Sequence, residues 1–310
     1  MRRRIAATIA VTALLIGGCA DGTGGSSGEP GPSASGAGSA YPVTVGKLTL
    51  ERRPERIVSL SPTATEMLFA VDADAQVVAV DDQSTFPAEA PRSDLSGFKP
   101  NAEAIAAKNP DLVVIANDTN KIVEQLTKLK VPVFLAPAAN VLDDTYRQIS
   151  DLGVLTGHAP QAAALVEQLR TDIGKIVKDA PVHSGTLRYY YELDPTYYTA
   201  TSKTFIGSIF NLFGLVNVGD AADADGSKGG YPQLSQEALI KADPDMIFLA
   251  DAKCCKQSPE TVKARTGFAN VTAVRNSQIY VLDDDVASRW GPRIADLVQA
   301  IADAVAQVRA

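Results

Sequence analysis

Side chains able to do covalent, metal or acid–base chemistry are scarce in this sequence. Its 310 residues include three cysteines, Cys19, Cys254 and Cys255, and two histidines, His158 and His183. Nucleophilic catalysis needs a hydroxyl or thiol beside a positioned base. No P-loop, no metalloprotease helix and no nucleophile elbow in a strand–turn–helix setting is present to supply it. Zinc or manganese would need more His and Cys ligands than these. Asp223-Ala-Asp225-Gly226 lacks the spacing and closing Glu of a calcium loop. Neither a metal nor a resident cofactor is therefore expected. Asp283 to Asp285 reads as a solvated turn. The acids that stand out are instead two glutamates in matching surroundings, Glu103 and Glu237.

Those surroundings are copies of each other. N-A-E-A-I-A-A-K-N-P-D-L-V-V-I (101–115) aligns without a gap on S-Q-E-A-L-I-K-A-D-P-D-M-I-F-L (235–249), at a constant offset in numbering (237 − 103 = 134). Each copy reads as a helix N-cap (Asn101, Ser235), a short helix, a Pro-Asp stop and a buried apolar strand. An offset this long is no solenoid repeat; it suggests two α/β lobes of similar build. Each glutamate lies in the first turn of its helix, where the helix dipole stabilises a carboxylate.

Composition bounds the possible partners. A hydrophobic content of 45% over this length can bury one large core or two modest ones. The net charge of −7 argues against nucleic acid or an anionic lipid surface. No internal apolar run is long enough for a transmembrane helix. Arg2 to Arg4 followed by the apolar stretch Ile5 to Ile16 reads as a targeting segment. It ends Leu-Ile-Gly-Gly-Cys19, which resembles a bacterial lipobox. Residues 1–18 are thus expected to be a lipoprotein signal peptide, Cys19 the lipid anchor, and 19–44 a flexible Gly/Ser/Pro-rich tether. An ordinary cleaved signal peptide with a chance Cys is the alternative.

Strands and helices alternate after the tether, which predicts parallel sheets covered on both faces. Strands are expected at 56–60, 76–80, 131–135, 187–193 and 278–282, besides the two repeat strands. Helices are expected at 63–71, 120–129, 142–156 and about 202–213. A longer helix begins around Pro160, which suits a first turn. Its apolar residues Leu165, Val166, Leu169, Ile173, Ile176 and Val177 follow the helical period. It lies midway between the copies and is the natural connector. Residues 45–158 would form the N-terminal lobe, 159–180 the connecting helix and 181–310 the C-terminal lobe, closed by an amphipathic helix from Ile294.

R-I-V-S-L-S-P-T-A-T-E-M-L-F-A (56–70), N-P-D-L-V (109–113), Y-P-Q-L-S-Q-E (231–237) and P-R-I (292–294) occur in the order found in substrate-binding proteins of ABC importers for iron complexes and vitamin B12. The chain resembles that helical-backbone family of periplasmic binding proteins over roughly residues 45–308. The resemblance implies two Rossmann-like lobes with mostly parallel central sheets joined by one long α-helix, and a ligand held between the lobes. It implies a lipid-anchored monomer on the outer face of the bacterial cell membrane, delivering a ferric siderophore or corrinoid to a permease dimer. It also implies that Glu103 and Glu237 dock on arginines of the two permease subunits, a role set beside simple helix stabilisation. A hydrolase-like enzyme in the same cleft, and a receptor for haem or another iron complex, are the alternatives; a surface adhesion module would bind no small ligand.

Open α/β sheets bind ligands in loops beyond the carboxyl ends of their strands. That rule selects Pro62, Thr63, Gln83, Ser84, Phe98, Lys99, Asn117 and Asp118 in the first lobe. In the second it selects Tyr191, Tyr197, Tyr198, Tyr231, Arg289 and Trp290. Tyr and Trp give rigid apolar area with a polar handle, although each tyrosine could equally be core. Arg289 either pairs an anionic ligand or caps its own loop. Tyr231 stands where the vitamin B12-binding relative has an aromatic contact, but Gln83, Gly97 and Asn117 replace that relative's other aromatics. Cys254 and Cys255 lie after the second repeat strand. Once Cys19 is lipidated, they are the remaining thiols in an oxidising compartment, and a vicinal disulfide at the cleft rim is expected. Neighbouring Cα atoms, about 3.8 Å apart, lie below the usual range for such a bond.

Overall fold

The computed structural model describes Ala40–Val308. The signal segment, Cys19 and the tether up to residue 39 lie outside the described residues. Among the described residues no helix is long and apolar enough to cross a membrane.

Among the described residues, regular structure begins at Val43, within the last residues of the stretch expected to be tether. Strands β1 (Val43–Val45) and β2 (Leu48–Leu50) form an antiparallel hairpin. It turns at Gly46, whose positive φ is a conformation that glycine adopts without strain. The hairpin is tied to the body by the Tyr41 hydroxyl, which donates to the Leu155 carbonyl at 3.0 Å.

Two parallel four-stranded sheets follow. The first contains β3 (Ile57–Leu60), β4 (Val77–Val80), β5 (Leu112–Ile115) and β6 (Val133–Leu135), in the order β4-β3-β5-β6. The second contains β7 (Arg188–Glu192), β8 (Val216–Asn217), β9 (Met246–Leu249) and β10 (Ile279–Val281), in the order β8-β7-β9-β10. Strand for strand, the second order repeats the first. Both central repeat strands are buried on both faces, as near-continuous apolar runs in parallel sheets must be.

Helices α1 (Pro62–Ala70), α2 (Ala102–Ala106), α3 (Ile122–Lys128) and α4 (Leu142–Thr156) cover the first sheet. The strand period of two sorts its residues. Leu112 and Val114 face α1, α4 and the hairpin, while Val113 and Ile115 face α2 and α3. The second sheet is sorted the same way. Tyr189, Tyr191, Met246 and Phe248 pack with α6 (Phe205–Asn211), and Tyr190, Ile247 and Leu249 lie on the opposite face with α7 (Gln236–Ala242).

Helix α5 (Ala159–Asp179) joins the lobes. Pro160 sits in its first turn, as the sequence predicts. At a rise of about 1.5 Å per residue the helix spans roughly 32 Å. Ala162 and Leu169 enter the first lobe's core and Ile173 the second's, so one rigid element is shared by both. Four short helices, α8 (Ala252–Cys255), α9 (Pro259–Lys263), α10 (Thr272–Arg275) and α11 (Asp284–Ala287), decorate the second lobe before the closing α12 (Ile294–Gln307).

The Pro-Asp stop works alike in both copies. Asp111 accepts the backbone N–H groups of Glu55 and Arg56 at 2.9 and 2.8 Å, and Asp245 accepts that of Arg188 at 2.8 Å. Each arginine returns its guanidinium to the end of the preceding helix: Arg56 to the Lys108 and Asn109 carbonyls, Arg188 to that of Asp243. Asn109 and Asp243 have φ of 50° and 43°, the left-handed conformation that Asn and Asp tolerate. Side chain, cap and strand start thus form one unit used twice.

Candidate functional site

The carboxyl ends of the first sheet's strands open into a cavity of ≈420 Å³ between the lobes. Its floor and one wall come from the first lobe: Leu60 to Thr63 after β3, Asp81 and Gln83 after β4, Gly97 and Phe98 in the following loop, and Ala116 and Asn117 after β5. The other wall is a single strap of the second lobe that carries Asp285, Ser288, Arg289 and Trp290. A larger hollow of ≈810 Å³ lies at the opposite, amino-terminal end of the second sheet, but the Asp245 and Thr272 that line it are already engaged with Arg188 and Asp243.

Buried ion pairing holds the strap in place. Glu66 of α1, 3% exposed, receives Arg289 Nη1 at 2.7 Å and Arg293 Nε and Nη2 at 2.9 and 2.6 Å. Both partners belong to the other lobe, more than two hundred positions along the chain. Arg289 also reaches Asp285 at 3.0 Å, and the Trp290 indole N–H donates to Gln148 of α4 at 3.0 Å. Arg293 stacks on the Phe86 ring at 4.3 Å. Gly291, between these residues, passes close to Glu66 and Thr63. Asp283 to Asp285, expected as a solvated turn, are partly solvent-exposed but open the short helix α11. Asp283 caps α11 by accepting the Asp285 and Val286 N–H groups, and Lys253 bridges Asp283 and Asp285.

Of the residues that the sequence selects, seven line this cavity together: Pro62, Thr63, Gln83, Phe98, Asn117, Arg289 and Trp290. Phe98 is 71% exposed, a large apolar ring left open at the mouth. Others stand elsewhere. Tyr191 is fully buried in strand β7, where its hydroxyl donates to the Ala287 carbonyl at 2.8 Å; it supports the strap from beneath and has no surface for a ligand. Ser84 is also buried, bonded to Thr65 at 3.0 Å. Asp118 accepts the Val123 N–H in the first turn of α3, and Lys99 does not line the cavity. Tyr197 stacks on Phe268 under Arg265, and Tyr198 and Tyr231 are exposed but outside the cavity.

The strand-end rule missed Asp81, the first residue past β4 and therefore within its reach. Asp81 is 1% exposed and its Oδ1 has no hydrogen-bond partner among the described residues. Burial pushes its carboxyl above the ordinary value, while Ser84 hydrogen bonds pull the other way, as desolvation and hydrogen bonding of a carboxylate should. Buried acids at the second lobe's strand ends were missed as well. Glu192, fully buried at the end of β7, pairs with Arg265 at 2.6 Å. Asp251, fully buried after β9, makes no side-chain hydrogen bond among the described residues. Burial and then the charge of Glu192 push its carboxyl up to about 7. Among the described residues no three His, Cys, Asp or Glu side chains converge to hold a metal.

Cys254 and Cys255 are joined in a disulfide within α8. The backbone N–H groups of Lys253 and Cys254 donate to Asp284 at 2.9 and 3.1 Å, so the disulfide turn abuts the start of the strap. Glu103 and Glu237 are both exposed, in the first turns of α2 and α7. Their helices are capped by Asn101, which accepts two N–H groups at 3.0 Å, and by Ser235, which accepts one at 3.1 Å. Hydrogen bonds from its own backbone and from Ser235 hold the Glu237 carboxyl below the ordinary value.

A sequence model of the periplasmic binding proteins matches residues 57–286. An ABC transporter substrate-binding lipoprotein of Bacillus subtilis is 27% identical, over 98% of this chain and 97% of its own. A cobalamin-binding protein of Halobacterium salinarum is 30% identical, over 83% of this chain and 71% of its own. Among solved structures, a possible iron-binding periplasmic solute-binding protein of Staphylococcus epidermidis superposes with a TM-score of 0.70 at 27% identity, covering 82% of this chain and 99% of that one.

Proposed function

Because the chain belongs to the periplasmic binding protein family, we propose that its inter-lobe cavity is the cargo site of an ABC importer receptor and that the cargo is a corrinoid. It is an extracytoplasmic substrate-binding protein working with a permease; the ligand, the anchor at Cys19 and the docking surfaces belong to the proposal. The observation that carries it is the convergence of strand ends from one lobe and the Arg289–Trp290 strap from the other on one cavity, where open α/β sheets take ligands. The similarity to a protein named for cobalamin binding points to the corrinoid. Gln83, Gly97 and Asn117 in place of aromatic residues favour a second reading, a ferric siderophore, which a more polar wall would suit. A hydrolase in this cleft would instead turn its ligand over.

Glu103 and Glu237 supply docking points. Both are exposed and occupy equivalent helices of the repeat, and a duplicated pair suits a partner that is itself two-fold symmetric. Lipidation at Cys19 would hold the receptor at the membrane beside that partner.

Trp290 is the one tryptophan of the chain and lines the cavity, so it reports occupancy. Titrating the detergent-solubilised full chain with cyanocobalamin should quench its fluorescence saturably and one-to-one, with matching heat by calorimetry. Ferric siderophores binding while cyanocobalamin does not would replace the first reading by the second. Conversion of the ligand would move the protein to the enzyme class.

A further inference from the structure

The charges in the cavity wall are unequally paired. Arg289 is the one basic side chain among the described residues that line it, and it is already engaged by Glu66, by Asp285 and by the Gln83 carbonyl. Glu66 in turn is shared with Arg293, and Lys99 stands outside the wall. An incoming anion would find no free cation here and would have to displace a buried ion pair. Asp81 is the opposite case. It is buried at the cavity floor with Oδ1 unpartnered, a costly arrangement unless something completes it. Gly97 lies flat against it: a Cβ there would come within 2.8 Å of Asp81 Oδ2 and 2.5 Å of the Leu60 carbonyl oxygen. The loop that carries the exposed Phe98 thus closes on this carboxyl through a glycine and leaves its side chain next to the ligand space.

We infer that the cleft selects its ligand by charge: Asp81 receives an N–H, O–H or cationic group of the ligand, and polyanions are refused. The inference rests on the receptor reading above and narrows it to neutral or cationic cargo rich in donors, such as the amide-bearing corrinoids or cationic ferric hydroxamates. Ferric tris-catecholates and ferric citrates are excluded.

The test compares three probes on the full-length protein and its Asp81→Asn variant: neutral cyanocobalamin, cationic ferrioxamine B and a polyanionic ferric tris-catecholate. The neutral or the cationic probe should bind, and the tris-catecholate should not saturate. D81N, which keeps the shape and removes the charge, should narrow the gap between favoured probe and polyanion by about tenfold or more. Comparable binding of the tris-catecholate by the wild type, or an unchanged gap in D81N, would overturn the inference. Should neither neutral nor cationic probe bind, the cargo reading itself falls. The ligand-free comparison still decides the role of Asp81: D81N should melt at or above the wild-type temperature, because Oδ1 has no partner among the described residues to lose. A Tm lowered by several degrees would make Asp81 structural and overturn the assignment.

Discussion

The two lobes share a frame and differ in what they do with its upper edge. Sheet order, the Pro-Asp unit at the strand starts and the capped helix with its exposed glutamate occur in both. At the strand ends the likeness stops. Asn117 and Asp251 are equivalent in the repeat (251 − 117 = 134), yet Asn117 is exposed in the cavity while Asp251 is buried at the start of the disulfide helix. The first lobe leaves its strand ends open for a ligand. The second closes its own with the Glu192–Arg265 pair and reaches the cavity through the 285–290 strap instead. The repeat keeps the frame and the exposed glutamates proposed for docking, whereas only the first lobe's strand ends line the proposed cargo cavity.

The largest effect expected concerns the shared frame. Glu103→Ala together with Glu237→Ala should abolish stimulation of the importer's ATPase while leaving cargo affinity unchanged, and each single variant should cost part of it. Full stimulation by the double variant would refute symmetric docking.

Two buried carboxylates next separate the lobes. Glu66→Ala leaves Arg289 and Arg293 without their shared partner, and Glu192→Ala leaves Arg265 without its own. Removing one partner of a buried pair costs about 3–5 kcal/mol, so both variants should lose stability of that order in denaturant titrations. Only Glu66→Ala should also weaken cargo binding, because of these two acids only Glu66 holds the strap. Equal binding losses would mean that the second lobe's strand ends also form the site.

Smaller and closely matched effects are expected at Asp111→Ala and Asp245→Ala. Each removes an acceptor from strand-start N–H groups, a loss of about 1–3 kcal/mol. Costs differing by more than that range would show that the two frames are not energetically alike.

Asp251→Asn gives a change whose size depends on pH. Burial holds the Asp251 carboxyl protonated up to about 7, against an ordinary value of 3.8. Between those values the folded chain binds more protons than the unfolded one, so stability falls as pH rises and the loss is complete above about 7. The Asn variant should therefore be more stable than wild type at pH 8 and no different near pH 3. Asn117, neutral at the equivalent place in the first lobe, adds no such dependence.

Much of the frame was legible in sequence, because it is written locally: strand runs, N-caps at Asn101 and Ser235, and the helical period of α5. The β1–β2 hairpin escaped although V-T-V-G-K-L-T-L alternates around Gly46, since three-residue strands beside a Gly/Ser/Pro run read as its continuation. Tyr191 was misplaced because the strand-end rule ignores the period of two: it lies inside β7 and faces α6 with Tyr189. Glu66 could not be read as a clamp at all. In sequence it is an acid inside an apolar helix, and the arginines that explain it lie more than two hundred positions away.

Hydrogen exchange of the full chain with and without saturating cyanocobalamin, or with the cargo that replaces it, tests the one-sided site most directly. Amides of 60–63, 81–84, 96–99, 116–118 and 285–290 should slow on binding, and those of 192–194 and 250–256 should not change. Equal protection at both sets of strand ends would contradict the account, placing the ligand symmetrically between two equivalent lobes.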